Sequence, residues 1–183
     1  MEAQLYPSAK AALREADRYD LLVLDSPGRA DAETREIAEV SDLVVVPSGT
    51  SLDDLNPAIR VANSLVKAKI PRERILFVLS KTDSAAAVER ARAYIGEAGY
   101  SVAAGSIPSR QHYQDIQDEG RAVTEARHAT LRDAALGVLQ AVIHAVPGSS
   151  NPAAQAAAEP TAVEPAPGGR PAGCGQGGKT AHG

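Results

Sequence analysis

The chain has 183 residues, a formal net charge of −4, 44% apolar and 23% charged residues. Such a balance belongs to an ordinary globular protein, and the slight negative charge excludes global electrostatic attraction to nucleic acid. Cys174 is the only cysteine, which excludes an intrachain disulfide framework and points to a reducing, cytoplasmic setting. No apolar run approaches the length of a membrane span, and Met1-Glu2-Ala3-Gln4 has neither the basic nor the apolar part of a secretory signal. With one Phe, five Tyr and no Trp, core volume has to come from Leu, Val, Ile and Ala.

Helical patterns alternate with short apolar runs along residues 1–146. Residues 8–19 read as a helix with Ser8 as N-cap. Leu21-Leu22-Val23-Leu24 is the first continuous apolar run, closed by Asp25-Ser26-Pro27-Gly28. A helix over 31–41 follows, then the run 43–46, stopped by Pro47. Residues 51–69 read as a helix whose start Pro57 shifts towards Asn56. The third run is 75–79, followed by a helix over 84–98 ended by Gly99. A weaker fourth strand spans 102–107, and a final helix spans 124–146. From Pro147 onward the chain is mostly Ala, Pro, Gly and Ser. A segment of that composition buries too little surface to offset the entropy of ordering it, so 147–183 is expected to be a disordered tail.

Uninterrupted aliphatic strands imply burial on both faces, and strands separated by helices imply parallel βαβ units. The expected fold class is α/β, doubly wound, with a mostly parallel sheet and helices on both faces. Open sheets of this kind carry their sites at the carboxyl ends of strands, so the residues after each run matter most.

Asp25 ends the first run. An acidic residue there orients Mg²⁺ through water in nucleotide hydrolases, and Gly28 can bring a backbone N–H close to a phosphate. The plain alternative is an Asp capping a Pro-Gly turn. Ser80-Lys81-Thr82-Asp83 ends the third run. Asp83 or Ser84 can cap the next helix, or Asp83 can accept hydrogen bonds from a nucleotide base. Pro108 and Ser109 follow the fourth strand, as a helix-initiating turn or as part of a base-side loop.

Several ordered strings resemble the ParA/MinD-type P-loop ATPases. Tyr19-Asp20-Leu21-Leu22-Val23-Leu24-Asp25-Ser26-Pro27-Gly28 resembles the family's Walker B segment. Ala38-Glu39-Val40-Ser41-Asp42, leading into the run before Pro47, resembles the next strand. Ser51-Leu52-Asp53-Asp54-Leu55 resembles the following helix start. Ile107-Pro108-Ser109-Arg110, Tyr113 and Glu119-Gly120-Arg121-Ala122-Val123 resemble the loop near the base and the lead-in to the last helix. The likeness covers roughly residues 5–145. It implies an ATP- and Mg²⁺-dependent partition protein of the cytoplasm. Asp25 would be at the catalytic metal, Gly28 near the γ-phosphate, and Ser80, Asp83, Pro108 and Ser109 at the base. Ser80 departs from the Asn common in the family, and Ser80-Lys81-Thr82-Asp83 also resembles a guanine-selecting element. The likeness further implies a homodimer or pairing with a full-length relative, a partition-adaptor protein, non-specific DNA binding and no membrane association.

The family's glycine-rich Walker A loop, which cradles phosphates with backbone N–H groups and a Lys, precedes Walker B by more than the residues available here. The resemblance therefore implies an N-terminally truncated domain that does not hydrolyse ATP alone. Gly173-Cys174-Gly175-Gln176-Gly177-Gly178-Lys179-Thr180 satisfies the Walker A expression. Neither a strand before it nor a helix after it is expected, as that loop requires. Arg110, Arg121, Arg127 and Arg132 give the C-terminal region a basic tendency, but Glu119, Glu125 and Asp133 interleave with them, as on a solvated mixed-charge face. The four His residues lack metal-ligand spacing. The competing expectation is a non-catalytic interaction protein that pairs with a full-length ParA-type ATPase.

Overall fold

Five consecutive apolar residues, 75–79, form the centre of the sheet. The computed structural model describes residues 4–26 and 32–148. They build an open parallel sheet from β1 (Val44–Ser48), β2 (Ile75–Thr82) and two short pieces, β3 (Ser101–Val102) and β4 (Ile107–Pro108). β2 pairs with β1 on one side and with β3 and β4 elsewhere along its length, all parallel. The chain is thus α/β with a mostly parallel sheet.

Alternation along each strand decides which helix it meets. Val44 and Val46 of β1 and Ile75, Phe77 and Leu79 of β2 pack with Leu55 and Leu65 of α3 (Leu52–Lys67) and Ile95 of α4 (Ala85–Glu97). On the other face Leu76 and Val78 meet Val138 of α6 (Ala129–Ala145). Residues 75–79 are therefore all buried, as a strand covered on both faces requires. A side chain such as Phe77, with no exposed surface, contributes about 1.5–3 kcal/mol by burial. Tyr113 and Ile116 of α5 (Gln111–Asp118) form a separate small cluster with Ala126.

Serines start three helices. Ser8, Ser51 and Ser84 accept hydrogen bonds from the backbone N–H of Ala11, Asp54 and Ala87 respectively, each satisfying a donor that the first turn leaves open. The cap at Ser51, with Asp53 and Asp54 in the first turn, sets the start of α3 at Leu52. Pro57 lies inside the helix rather than shifting its start.

Other expectations are corrected as well. Residues 21–24 form no strand: Leu21 is 57% and Val23 69% exposed. Exposure alternates along them, with Leu22 and Leu24 half-buried, but no strand ladder holds them. Pro47 does not stop β1 but lies within it, which an edge strand tolerates. The expected fourth strand is broken in two around Gly105, whose φ of 77° is left-handed. The helix expected over 8–19 shrinks to α1 (Ala9–Leu13) and one 3₁₀ turn, Ala16–Arg18. Only two small residues of α1, Ala9 and Ala12, are buried, too little packing to extend a short helix. The helix expected over 31–41 is α2 (Ala32–Val40). The helix-initiating turn offered at Pro108 and Ser109 leads into α5, which ends where Gly120 takes φ 70° and the N–H groups of Gly120 and Arg121 return to Gln117 and Ile116. The last helix starts at Ala129, after a 3₁₀ turn at Val123–Glu125. The tail reading at 149–183 lies outside the described residues.

Candidate functional site

The carboxyl end of β2 is where chemistry-bearing residues collect. β2 continues past its aliphatic centre through Ser80, Lys81 and Thr82. Its pairing with β4 shifts register between Ser80 and Thr82. Lys81, between them, has a left-handed φ of 54°, a conformation uncommon for any residue but glycine. This bulge separates the side chains of the strand end into two clefts, as bulges near sites commonly do.

Ser80 and Lys81 line one cleft of about 330 Å³ with Ser48, Gly49, Asp53 and Asp54. Thr82 and Asp83 line the other, of about 350 Å³, with Glu89, Ser106, Pro108 and Arg110. Both volumes fall at the small end of ligand-site dimensions. In the second cleft Thr82 is buried, with its hydroxyl 3.4 Å from that of Ser106. The N–H of Ser109 donates to the Thr82 carbonyl at 2.9 Å, which fixes the loop after β4 against the strand end. Arg92 of α4 donates to the carbonyls of Ala103 and Gly105 at 2.8 and 2.6 Å, holding the break between β3 and β4. The first turn of α4 carries no acidic residue, so the positive end of its dipole and Arg110 offset the carboxylates of Asp83 and Glu89.

The expected site residues divide. Asp83 and Pro108 come together in one cleft, with Ser109 hydrogen-bonded beside them. Ser80 opens into the other. Ser84, not Asp83, caps α4, which leaves the Asp83 carboxylate exposed and uncommitted to the helix. Asp25 is exposed, follows a segment that is not a strand, and lines neither cleft. Gly28 lies outside the described residues, as does the string ending in Lys179 and Thr180.

The turn after β1 does not fit a triphosphate. Among the described residues no three His, Cys, Asp or Glu side chains gather as metal ligands. The strand-to-helix turn after β1 contains Gly49, but Asp53 and Asp54 fill the first turn of α3 and oppose an anion there. A Cβ at Gly49 would lie 2.3 Å from the Asp54 carboxylate, so this glycine makes room for a side chain of its own chain. No hydrolytic step follows from these residues.

Two features go beyond what the sequence assigns. Arg110, which belongs both to the string resembling a base-side loop and to the basic tendency, borders the cleft of Asp83. His112 packs edge-on against His128, ring centroids 4.7 Å apart, and its buried Nε2 has no hydrogen-bond partner. The basic tendency is locally balanced: Arg121 pairs with Glu119 at 3.6 Å and donates to the Glu125 carbonyl. Among the described residues no helix is long and apolar enough to cross a membrane. Comparison of the chain with protein-family models and with curated proteins finds no match.

Proposed function

We propose that the chain is the base-side part of a ParA/MinD-type partition ATPase domain, of doubly wound P-loop type, which does not hydrolyse ATP on its own. One observation carries this reading. Asp83, Pro108 and Arg110 converge on one cleft at the carboxyl end of the central strand, where α/β sheets bind ligands. In that role Asp83 accepts from a base amino group, Pro108 offers an apolar face, and Ser109 holds the loop. Ser80 is a base contact through the neighbouring cleft. Asp25 and Gly28 belong to the Mg²⁺ and phosphate side, which needs a phosphate-binding loop opposite them to act. Homodimer formation, an adaptor protein, non-specific DNA and a cytoplasmic setting accompany the reading as properties implied by the resemblance.

An amide NMR titration with Mg-ATP tests it. Weak binding is expected, with shifts concentrated at Thr82, Asp83, Ser106 and Ser109 and no phosphate release. Adenosine should reproduce the shifts, whereas preferential competition by GTP would move the assignment to guanine. Absence of shifts at these amides at millimolar nucleotide overturns the reading.

A second reading is favoured by a different observation. The outer edge of β1 has no strand partner among the described residues, and a non-catalytic subunit that pairs with a full-length ParA-type ATPase would use such an edge. Co-purification with such a relative tests it.

A further inference from the structure

Two imidazoles meet where α5 and α6 begin. His112 lies in the first turn of α5, and His128 is the N-cap residue of α6. Their rings pack edge-on with centroids 4.7 Å apart, which brings the starts of the two helices together. The Nε2 atom of His112 is buried and has no hydrogen-bond partner. A buried ring nitrogen in that state calls for a water or a ligand that reaches it.

Both helix starts are open. Neither N-cap residue, Arg110 or His128, makes a side-chain cap bond, and neither first turn carries an acidic residue. The N–H groups of Tyr113, Leu131 and Arg132 turn back to the carbonyls of Arg110 and His128. Those of Gln111, His112, Ala129 and Thr130 come before the first acceptor that a helix offers its own chain. Gln111, Ala129 and Thr130 are exposed, so their donors are within reach of a ligand. Nearby charges are largely committed. Asp115 accepts from the Gln111 side chain at 3.1 Å, Glu125 accepts from the Ala122 N–H at 2.8 Å, and Arg121 pairs with Glu119. Asp133, the first carboxylate of α6, comes after its first turn. Arg127, exposed and next to His128, forms no ion pair among the described residues.

Two imidazoles in contact could serve a metal ion or an anion, and their surroundings decide between them. A divalent cation would face the positive ends of two helix dipoles, and no third His, Cys, Asp or Glu joins the pair among the described residues. An anion gains from the same dipoles, the open N–H groups and Arg127. We propose that the joint start of α5 and α6 is a phosphate-binding site. Gln111, His112, Ala129 and Thr130 present backbone donors, the two imidazoles add ring donors, and Arg127 supplies counter-charge. The ligand class is a small tetrahedral dianion: inorganic phosphate or the terminal phosphate of a phosphomonoester. Its oxygens can accept from both helices at once. None of these residues lines either cleft at the end of β2, so the site lies beyond the base-side reading and does not depend on it.

NMR of the full chain, titrated with inorganic phosphate at constant ionic strength, tests the site. Saturable shifts are expected at the amides of Gln111, His112, Ala129 and Thr130 and at both imidazoles, with no saturable response to chloride. O-phosphoserine distinguishes the two sources: shifts equal to those with phosphate assign the site to phosphomonoesters, and shifts with inorganic phosphate alone assign it to the free ion. Ala129→Glu puts a carboxylate where the helix dipole favours it and should leave the fold intact. It should weaken phosphate binding at least about tenfold, as a like charge at contact distance does. Arg60→Ala, exposed on α3, should leave binding unchanged. Adenosine, the probe of the base-side cleft, should move none of these amides, so the two readings fail separately. No saturable shift at millimolar phosphate, undiminished binding in Ala129→Glu, or saturation by duplex DNA without saturation by phosphate would each overturn the proposal.

Discussion

Residues 21–24 and 75–79 are nearly the same kind of sequence, and they end in opposite environments. Both are unbroken apolar runs followed within four residues by an Asp. Residues 75–79 are buried throughout and paired on both edges, whereas 21–24 carry two exposed side chains and no ladder. The difference lies in the neighbours: β-propensity reports fit to a pleated, covered surface and not an intrinsic choice of the backbone. The sharpest way to break this contrast is by truncation. Phe77→Ala is expected to cost about 3–5 kcal/mol, the range for emptying a filled core site. Leu21→Ala or Val23→Ala should change stability by less than about 0.5 kcal/mol, as at exposed positions. Urea unfolding of the variants measures both, and a cost at Leu21 comparable to that at Phe77 would make 21–24 a core strand.

The carboxyl end of β2 sharpens the comparison further, because there a polar turn has a defined task. Ser84 caps α4 through the N–H of Ala87 at 3.2 Å, while the neighbouring Asp83 makes no cap bond. Ser84→Ala is expected to cost about 1 kcal/mol. Asp83→Ala should lie within about 0.5 kcal/mol of the unmodified chain while removing any nucleotide-induced shift in the adjoining cleft. Thermal or urea unfolding of the pair separates structure from binding. A cost at Asp83 equal to that at Ser84 would make its carboxylate a structural group and weaken the case for a base contact.

Sequence reading reached the fold where local and long-range preferences agree. Residues 75–79, the helices following Ser51 and Ser84, and the parallel sense of the strands are legible because apolar runs and helical periods act over short distances. Reading failed where a distant partner decides. The run 21–24 has strand composition but no ladder, and nothing local reports that. Pro47 reads locally as a stop, because its tolerance depends on lying at a sheet edge. For the site, the strand-end rule located Ser80, Asp83 and Pro108 near one another. It did not foresee that the bulge at Lys81 sends Ser80 and Asp83 into different clefts.

The smallest expected effect compares two tyrosines in two clusters. Tyr100 belongs to the main core, donates to Asn63 at 2.6 Å, and has Arg72 4.7 Å from its ring centre. Tyr113 belongs to the outer cluster and donates to the Leu131 carbonyl. Burial pushes both phenols above their ordinary value of 10.0, opposed by Arg72 at Tyr100 and by Arg110 at Tyr113. A raised folded value means that the fold favours the neutral phenol. The associated stability is complete below pH 10 and is lost as pH rises through the raised folded value. Melting temperatures should therefore fall on the alkaline side of pH 10, and Tyr100→Phe and Tyr113→Phe should each reduce that fall. At neutral pH Tyr113→Phe should cost about 1 kcal/mol, because the buried phenol hydrogen bond to the Leu131 carbonyl is lost. If Tyr100→Phe removes the alkaline loss and Tyr113→Phe does not, the outer cluster opens before the sheet core, and burial there is the weaker of the two. An alkaline loss unchanged in both variants would mean that neither phenol is held neutral by its neighbours.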